Sequence, residues 1–168
     1  MKSILFIFSL FSIFVIAADY PSDEQIAKII MTADKGEVDM AKMAKEKAQS
    51  KDVKKFAAHM IKDHSKSNKK TVLLSKKLKI KPVENELSTE KKAESDAGMA
   101  KLEKISGSEF DKEYMMTQIA MHEKTLNELD GTILPAVKNK KLKKMLEKTR
   151  STVAKHLYDA QRIQLRLK

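Results

Sequence analysis

Residues 53–78, VKKFAAHMIKDHSKSNKKTVLLSKKL, decide the fold because their apolar side chains recur every three or four positions. This spacing is typical of a long amphipathic helix that buries one face. His64 lies on that face, in the turn between Met60 and Thr71. Lys81-Pro82 follows and predicts the end of the helix, since proline cannot continue one. The rest of the buried stripe consists of Val53, Phe56, Ala57, Leu74 and Leu78.

Similar stripes precede and follow this segment. A first helix begins at Ser22, which can form a capping box with Gln25, and ends at a tight break around Ser50. A third helix starts near Ser108, and we expect it to bend at Gly131 and Pro135, with an end at Asp130-Gly131 as the alternative. A fourth helix follows a turn at Asn139. The short breaks predict two antiparallel hairpins, and residues 80–108 predict a crossover with a short helix over 88–105. The predicted fold is all-α, an antiparallel four-helix bundle with one long crossover.

The N-terminus has the pattern of a signal peptide. Met1-Lys2-Ser3 precedes an apolar run over 4–16, which is shorter than the roughly 20 residues of a membrane-spanning helix, and small residues follow. An uncleaved anchor is the alternative. We expect a signal peptide over 1–17, one bundle domain over 18–168, and no transmembrane segment in the mature chain. The chain has no cysteine, so disulfides and a lipoprotein are excluded, and periplasmic or secreted localisation is expected.

The net charge of +11 comes almost entirely from lysine, because the chain has only three arginines. Arginine is preferred for phosphate recognition and aromatic side chains for base stacking, so we expect no nucleic-acid partner. A lysine cluster at the last turn predicts weak contact with anionic envelope polymers, with a merely solvated turn as the alternative. It consists of Lys138, Lys140, Lys141, Lys143 and Lys144.

Each of the four predicted helices carries one titratable group on its apolar stripe: Glu37, His64, His122 and His156. Glu37 and His64 are equally distant in sequence from the first break, and His122 and His156 from Asn139, so each pair should face across its hairpin. If the hairpins pack in register, these groups form one layer that could bind a transition metal ion, Zn, Fe, Mn or Cu. The alternative is a hydrogen-bonded structural network that binds nothing. Candidate hydrogen-bond partners of the histidines are Asp63, Asp111, Tyr114, Gln118 and Tyr158, although Asp111 more naturally caps its own helix.

Motifs along all four predicted helices are similar to those of a known family: Ala33, Gly36-Glu37-Val38, Val53, Phe56-Ala57, Met60-Ile61, Asp63-His64-Ser65, Asn68, Phe110-Asp111, Tyr114-Met115, His122, His156-Leu157 and Ala160. Together they make the chain resemble an exported bacterial ferritin-like family, domain of unknown function 4142. The resemblance covers roughly residues 25–165 and implies a ferritin-like bundle in the cell envelope, with no established activity. The family often has a proline before its last histidine, where this chain has Ser151-Thr152.

Three functions are compatible with these features. The first is a non-catalytic envelope or stress protein with a metal site in its core. The second is a metal-dependent oxidoreductase or hydrolase that uses the three histidines and Glu37. The third is a scaffold module that binds anionic polymers. Ferroxidase chemistry is not expected, because the residues three before the histidines are Ile61, Ile119 and Val153 rather than glutamate.

Overall fold

A computed structural model of the chain describes residues 20–167, so the predicted signal peptide lies outside the described residues. Four long helical segments form the bundle, and a fifth lies in the crossover. None of the described helices combines the length and apolar composition that crossing a bilayer requires. The helices are α1 (Asp23–Lys47), α2 (Lys51–Leu78), α3 (Glu86–Glu103), α4 (Gly107–Glu128), α5 (Leu134–Ala136) and α6 (Lys140–Gln164).

The first hairpin, α1 and α2, is capped at both starts. Ser22 and Gln25 form the predicted capping box at the start of α1. Ser50 Oγ accepts a hydrogen bond from Val53 N at the start of α2. These caps satisfy backbone N–H groups that a helix cannot pair internally.

Asp111 does not cap its own helix, so this part of the sequence prediction is wrong. Its two carboxylate oxygens accept from Gln49 N at 3.1 Å and from Ser50 N at 2.7 Å. Helix α4 begins at Gly107, and the Ser106 side chain before it forms no capping hydrogen bond. Asp111 therefore joins α4 to the turn between α1 and α2.

The crossover helix α3 spans 18 residues and packs along α1. The two backbones approach closely at Gly36, where an added Cβ would lie 2.5 Å from Ser95 Oγ. One lysine of this charged segment, Lys91, is buried, and its Nζ lies 2.7 Å from Glu128 Oε2. The crossover is thus attached to α1 by packing and to α4 by an ion pair.

Helical conformation continues through Gly131 rather than ending there, as predicted. A π-helical turn, Leu129–Ile133, follows α4 directly and leads into α5, which contains Pro135. Leu129 and Ile133 of this turn are fully buried. The chain then turns at Asn139, whose side chain caps α6 by accepting from Lys141 N and Leu142 N.

The apolar core consists of two clusters at the two ends of the bundle. One contains Met40, Phe56, Phe110 and Tyr114, at the end where α1 meets α2. The other contains Ile26, Leu129, Leu142 and their neighbours, at the end where α5 meets α6. Between them lies a layer of buried polar side chains: Asp34, Glu37, His64, Gln118, His122 and His156.

Candidate metal centre

Three histidines from three helices meet in the polar layer. His64 of α2, His122 of α4 and His156 of α6 are buried, with ring centroids 5.4–6.0 Å apart. One ring nitrogen from each lies within 4.8 Å of the other two. Three Zn–N bonds of about 2.0 Å require nitrogens about 3.3 Å apart in a tetrahedral site, so the rings would draw closer around an ion.

Each imidazole has one ring nitrogen held by a partner outside the cluster. His64 Nδ1 donates to Asp34 Oδ1 at 2.8 Å, and His122 Nδ1 donates to the Gln118 carbonyl at 2.8 Å. His156 Nε2 donates to Asp63 Oδ2 at 3.1 Å. Such partners fix the orientation of a histidine ring and leave its other nitrogen to bind a metal.

The remaining nitrogens of two rings are buried without a partner among the described residues. These atoms are His64 Nε2 and His156 Nδ1. A buried polar atom without a hydrogen bond destabilises the folded state by about 1–3 kcal/mol. These two nitrogens are thus open to a further partner.

Burial favours neutral imidazoles at two of the three positions. Desolvation lowers the pKa of His156 to about 4, although its hydrogen bond to Asp63 opposes this effect. Desolvation also lowers the pKa of His122. His64 differs: desolvation would lower its pKa, but the hydrogen bond to Asp34 and the charge of Glu37 raise it overall. Neutral imidazole is the form that binds metal.

Glu37 does not join the three histidines around a common point, which departs from the four-residue metal site predicted from the sequence. Its Oε2 accepts from Gln118 Nε2 at 2.9 Å. Its Oε1 lies 3.9 Å from His122 Nδ1, the nitrogen that already donates to a carbonyl. Glu37 is thus buried beside the cluster and acts on it by its charge.

Of the five candidate hydrogen-bond partners of the histidines, two form such bonds in the described part of the chain and three do not. Asp63 contacts His156, and Gln118 contacts both His122 and Glu37. Tyr114 is fully buried, but its hydroxyl has no hydrogen-bond partner within residues 20–167, and desolvation raises its pKa well above the usual value. Tyr158 is 58% exposed and faces Arg162. Asp111 lies at the helix turn described above.

Asp34 is the site residue that the sequence analysis missed. It is buried in α1, and desolvation raises its pKa while the hydrogen bond from His64 lowers it. A signal was available, since Asp34 and His64 are equally distant in sequence from Gln49. Asp34 also lies one helical turn before Glu37, so both carboxylates occupy the same face of α1.

A cavity of about 170 Å³ reaches the cluster between α2 and α6. Its wall includes two of the histidines and two aspartates: His64, His156, Asp34 and Asp63. Three exposed lysines, Lys66, Lys70 and Lys148, also line it. Small solutes can therefore approach the histidines from this side.

The lysine cluster predicted to contact anionic polymers lies away from this cavity. Lys138, Lys140, Lys141, Lys143 and Lys144 are all exposed, at or just after the turn that starts α6. Asp23 accepts from the backbone N–H groups of Lys138 and Asn139 and so offsets part of the positive charge of this turn. The binding of this lysine cluster to anionic polymers stays a prediction.

The bundle is similar to one solved structure, from Streptomyces coelicolor, described as a "putative secreted protein DUF305". The two share 11% sequence identity with a TM-score of 0.68, over 81% of this chain and 87% of the other. This likeness shows the fold, which is a ferritin-like type of helical bundle. No curated protein matches the sequence. The family model described as "Domain of unknown function (DUF4142)" matches residues 16–163, most of the chain, and the protein therefore belongs to this family.

Proposed function

We propose that this protein is exported and binds one Zn²⁺ or Cu²⁺ ion through His64, His122 and His156. The observation that carries the proposal is the pair of buried, unpartnered nitrogens, His64 Nε2 and His156 Nδ1, within a cluster whose ligand atoms lie within 4.8 Å. A structural network closed by direct hydrogen bonds would pair these atoms. A bound ion satisfies them and removes the cost of burying them unpaired.

The choice of ion follows from the donor atoms. The cluster offers three imidazole nitrogens. The neighbouring carboxylates are hydrogen bonded, Asp34 to His64, Asp63 to His156 and Glu37 to Gln118. Imidazole suits zinc and copper, whereas manganese prefers oxygen ligands and non-haem iron sites usually include a carboxylate. Iron and manganese, which the sequence left open, are thus the weaker choices.

Binding is favoured over catalysis because both carboxylates of the cavity orient histidine rings through one oxygen each. Asp34 accepts from His64 and Asp63 accepts from His156. A general base must reach the proton it abstracts. One oxygen of each carboxylate is engaged with a ring, and the second oxygen of Asp34, Oδ2, is buried. We therefore propose a metal-binding protein of the cell envelope, with a metal-dependent hydrolase or oxidoreductase as the less supported alternative.

The test is metal content and affinity in matched histidine variants. Elemental analysis and isothermal titration with Zn²⁺ and Cu²⁺ should give one ion per chain for the wild type. His64→Ala should abolish this stoichiometric binding. His59→Ala is the control, because His59 is exposed on the same helix and should leave binding unchanged. A wild type that binds neither ion above the level of His64→Ala would exclude the proposal.

A further inference from the structure

The wall of the cavity beside the histidines carries a net positive charge, because its three lysines outnumber its two aspartates. Lys66 and Lys70 lie one turn apart on α2, and Lys148 faces them from α6. None of the three forms an ion pair within residues 20–167, whereas Lys91, Lys124 and Lys155 all do. Their ammonium groups are thus available to a solute in the cavity.

The carboxylates of the cavity do not cancel these lysines once an ion is bound. Asp34 is hydrogen bonded to His64, and Asp63 is hydrogen bonded to His156. Their two negative charges offset the two positive charges of a divalent ion. The charges of Lys66, Lys70 and Lys148 are then left over, and they attract anions toward the histidines.

The threonine hydroxyls of the wall leave this role to the lysines. The hydroxyl groups of Thr149 and Thr152 donate to the backbone carbonyls of Met145 and Lys148 within their own helix. They are therefore not the first donors that an incoming anion meets. The cavity of about 170 Å³ holds about five water molecules at about 30 Å³ each, which is enough room for a small oxyanion.

We propose that a small oxyanion enters this cavity and occupies the fourth coordination position of the ion held by His64, His122 and His156. The inference rests on the proposed metal binding and extends it by naming the class of ligand. Three imidazoles leave one position of a tetrahedral ion open, and the cavity reaches His64 and His156. Lys66, Lys70 and Lys148 raise the local anion concentration and pair with the oxygens that face away from the ion.

The experiment uses the purified protein loaded with Co²⁺, whose visible absorption changes when a ligand binds the ion. Metal content is measured first by elemental analysis. Inorganic phosphate and acetate are then titrated separately at about 0.01 M ionic strength, where charge effects are weakly screened. We expect a saturable spectral change with at least one of the two, and the comparison shows whether the site prefers a phosphate or a carboxylate.

Matched lysine variants test the role of the cavity. K66Q/K70Q/K148Q should weaken anion binding about fivefold or more and leave Co²⁺ content unchanged. K140Q/K141Q/K144Q is the control, because it removes the same charge from exposed positions of α6 that do not line the cavity. Circular dichroism should show the wild-type helical content in both variants.

The outcomes separate the two proposals. If Co²⁺ binds but neither anion changes its spectrum, the inference about the anion is overturned and metal binding stands. Equal weakening in both triple variants, or equal phosphate affinity without metal, would also overturn it. If the wild type holds no Co²⁺, Zn²⁺ or Cu²⁺, the metal proposal fails first and the inference falls with it.

Discussion

Asp34 and His64 are 30 residues apart in sequence, and their side chains meet at 2.8 Å between Oδ1 and Nδ1 inside the bundle. Both are buried, and the pair lies where α1 faces α2. A carboxylate behind a histidine fixes the ring and increases the basicity of its other nitrogen. The pair therefore provides a specific test of the metal centre.

Replacing Asp34 with asparagine should weaken metal binding by about 10- to 100-fold. The amide keeps the size of the side chain but removes the charge that raises the pKa of His64. Isothermal titration with Zn²⁺ measures the affinity, and an NMR pH titration of the metal-free protein should show a lower pKa for His64. D96N, which changes an exposed aspartate, is the control. An unchanged affinity in D34N would show that Asp34 has no part in the site.

Replacing Glu37 with glutamine tests whether this residue binds the ion. Glu37 Oε2 is hydrogen bonded to Gln118, and the side chain stands outside the group of three histidines. We expect E37Q to retain one Zn²⁺ per chain, with an affinity within about tenfold of the wild type. Loss of stoichiometric binding in E37Q would instead support the four-residue site predicted from the sequence.

The metal-free protein should lose stability as the pH falls from 6.5 toward 4. His156 has a pKa of about 4 in the folded state against 6.5 for the free side chain, so its protonation favours the unfolded chain in that interval. The loss from His156 alone is of the order of 2–3 kcal/mol at pH 4.5. The lowered pKa of His122 acts in the same direction, while the raised pKa of His64 acts in the opposite one.

The measurement is urea unfolding in the presence of a chelator at pH 7 and pH 4.5. H156N should reduce the difference in free energy of unfolding between the two pH values. H59N provides the matched control, since His59 is exposed. A pH dependence that is the same in H156N and the wild type would contradict the burial of a neutral imidazole at this position.

Replacing Gly36 with alanine should lower the free energy of unfolding by about 1–3 kcal/mol. The new Cβ would lie 2.5 Å from Ser95 Oγ and 2.7 Å from Ser95 Cβ, so α3 must move away from α1. G131A is the control, because no atom lies within 4 Å of a Cβ at that position. The double variant G36A/S95G should recover part of the stability, and the absence of any recovery would show that this contact is not the cause.

The order of the helices and the level of the three histidines could be predicted because both depend on periodicity. Apolar residues repeat with the helix, and His64, His122 and His156 occupy positions set by their distance from two short turns. The roles of Glu37 and Asp34 could not be assigned in the same way. They lie one turn apart on α1, and side-chain packing decides that Asp34 contacts His64.

Contacts between residues far apart in the sequence could not be predicted either. Spacing within one helix suggested that Asp111 caps α4, but its carboxylate binds backbone groups more than 60 residues away. Likewise, Lys91 belongs to a strongly charged segment and is nevertheless buried against Glu128. Both contacts form between elements that only the tertiary fold brings together.

The polar layer between the two apolar clusters also determines how the four long helices align. Sliding one helix by a single turn would move its histidine or carboxylate about 5.4 Å along the bundle, opposite apolar side chains of one cluster or the other. The displaced group would lose its partner, and buried polar groups without partners are costly. The alignment of the bundle therefore depends in part on Asp34, His64 and His156, which also line the cavity. A substitution that alters the site at these residues also alters how the helices align.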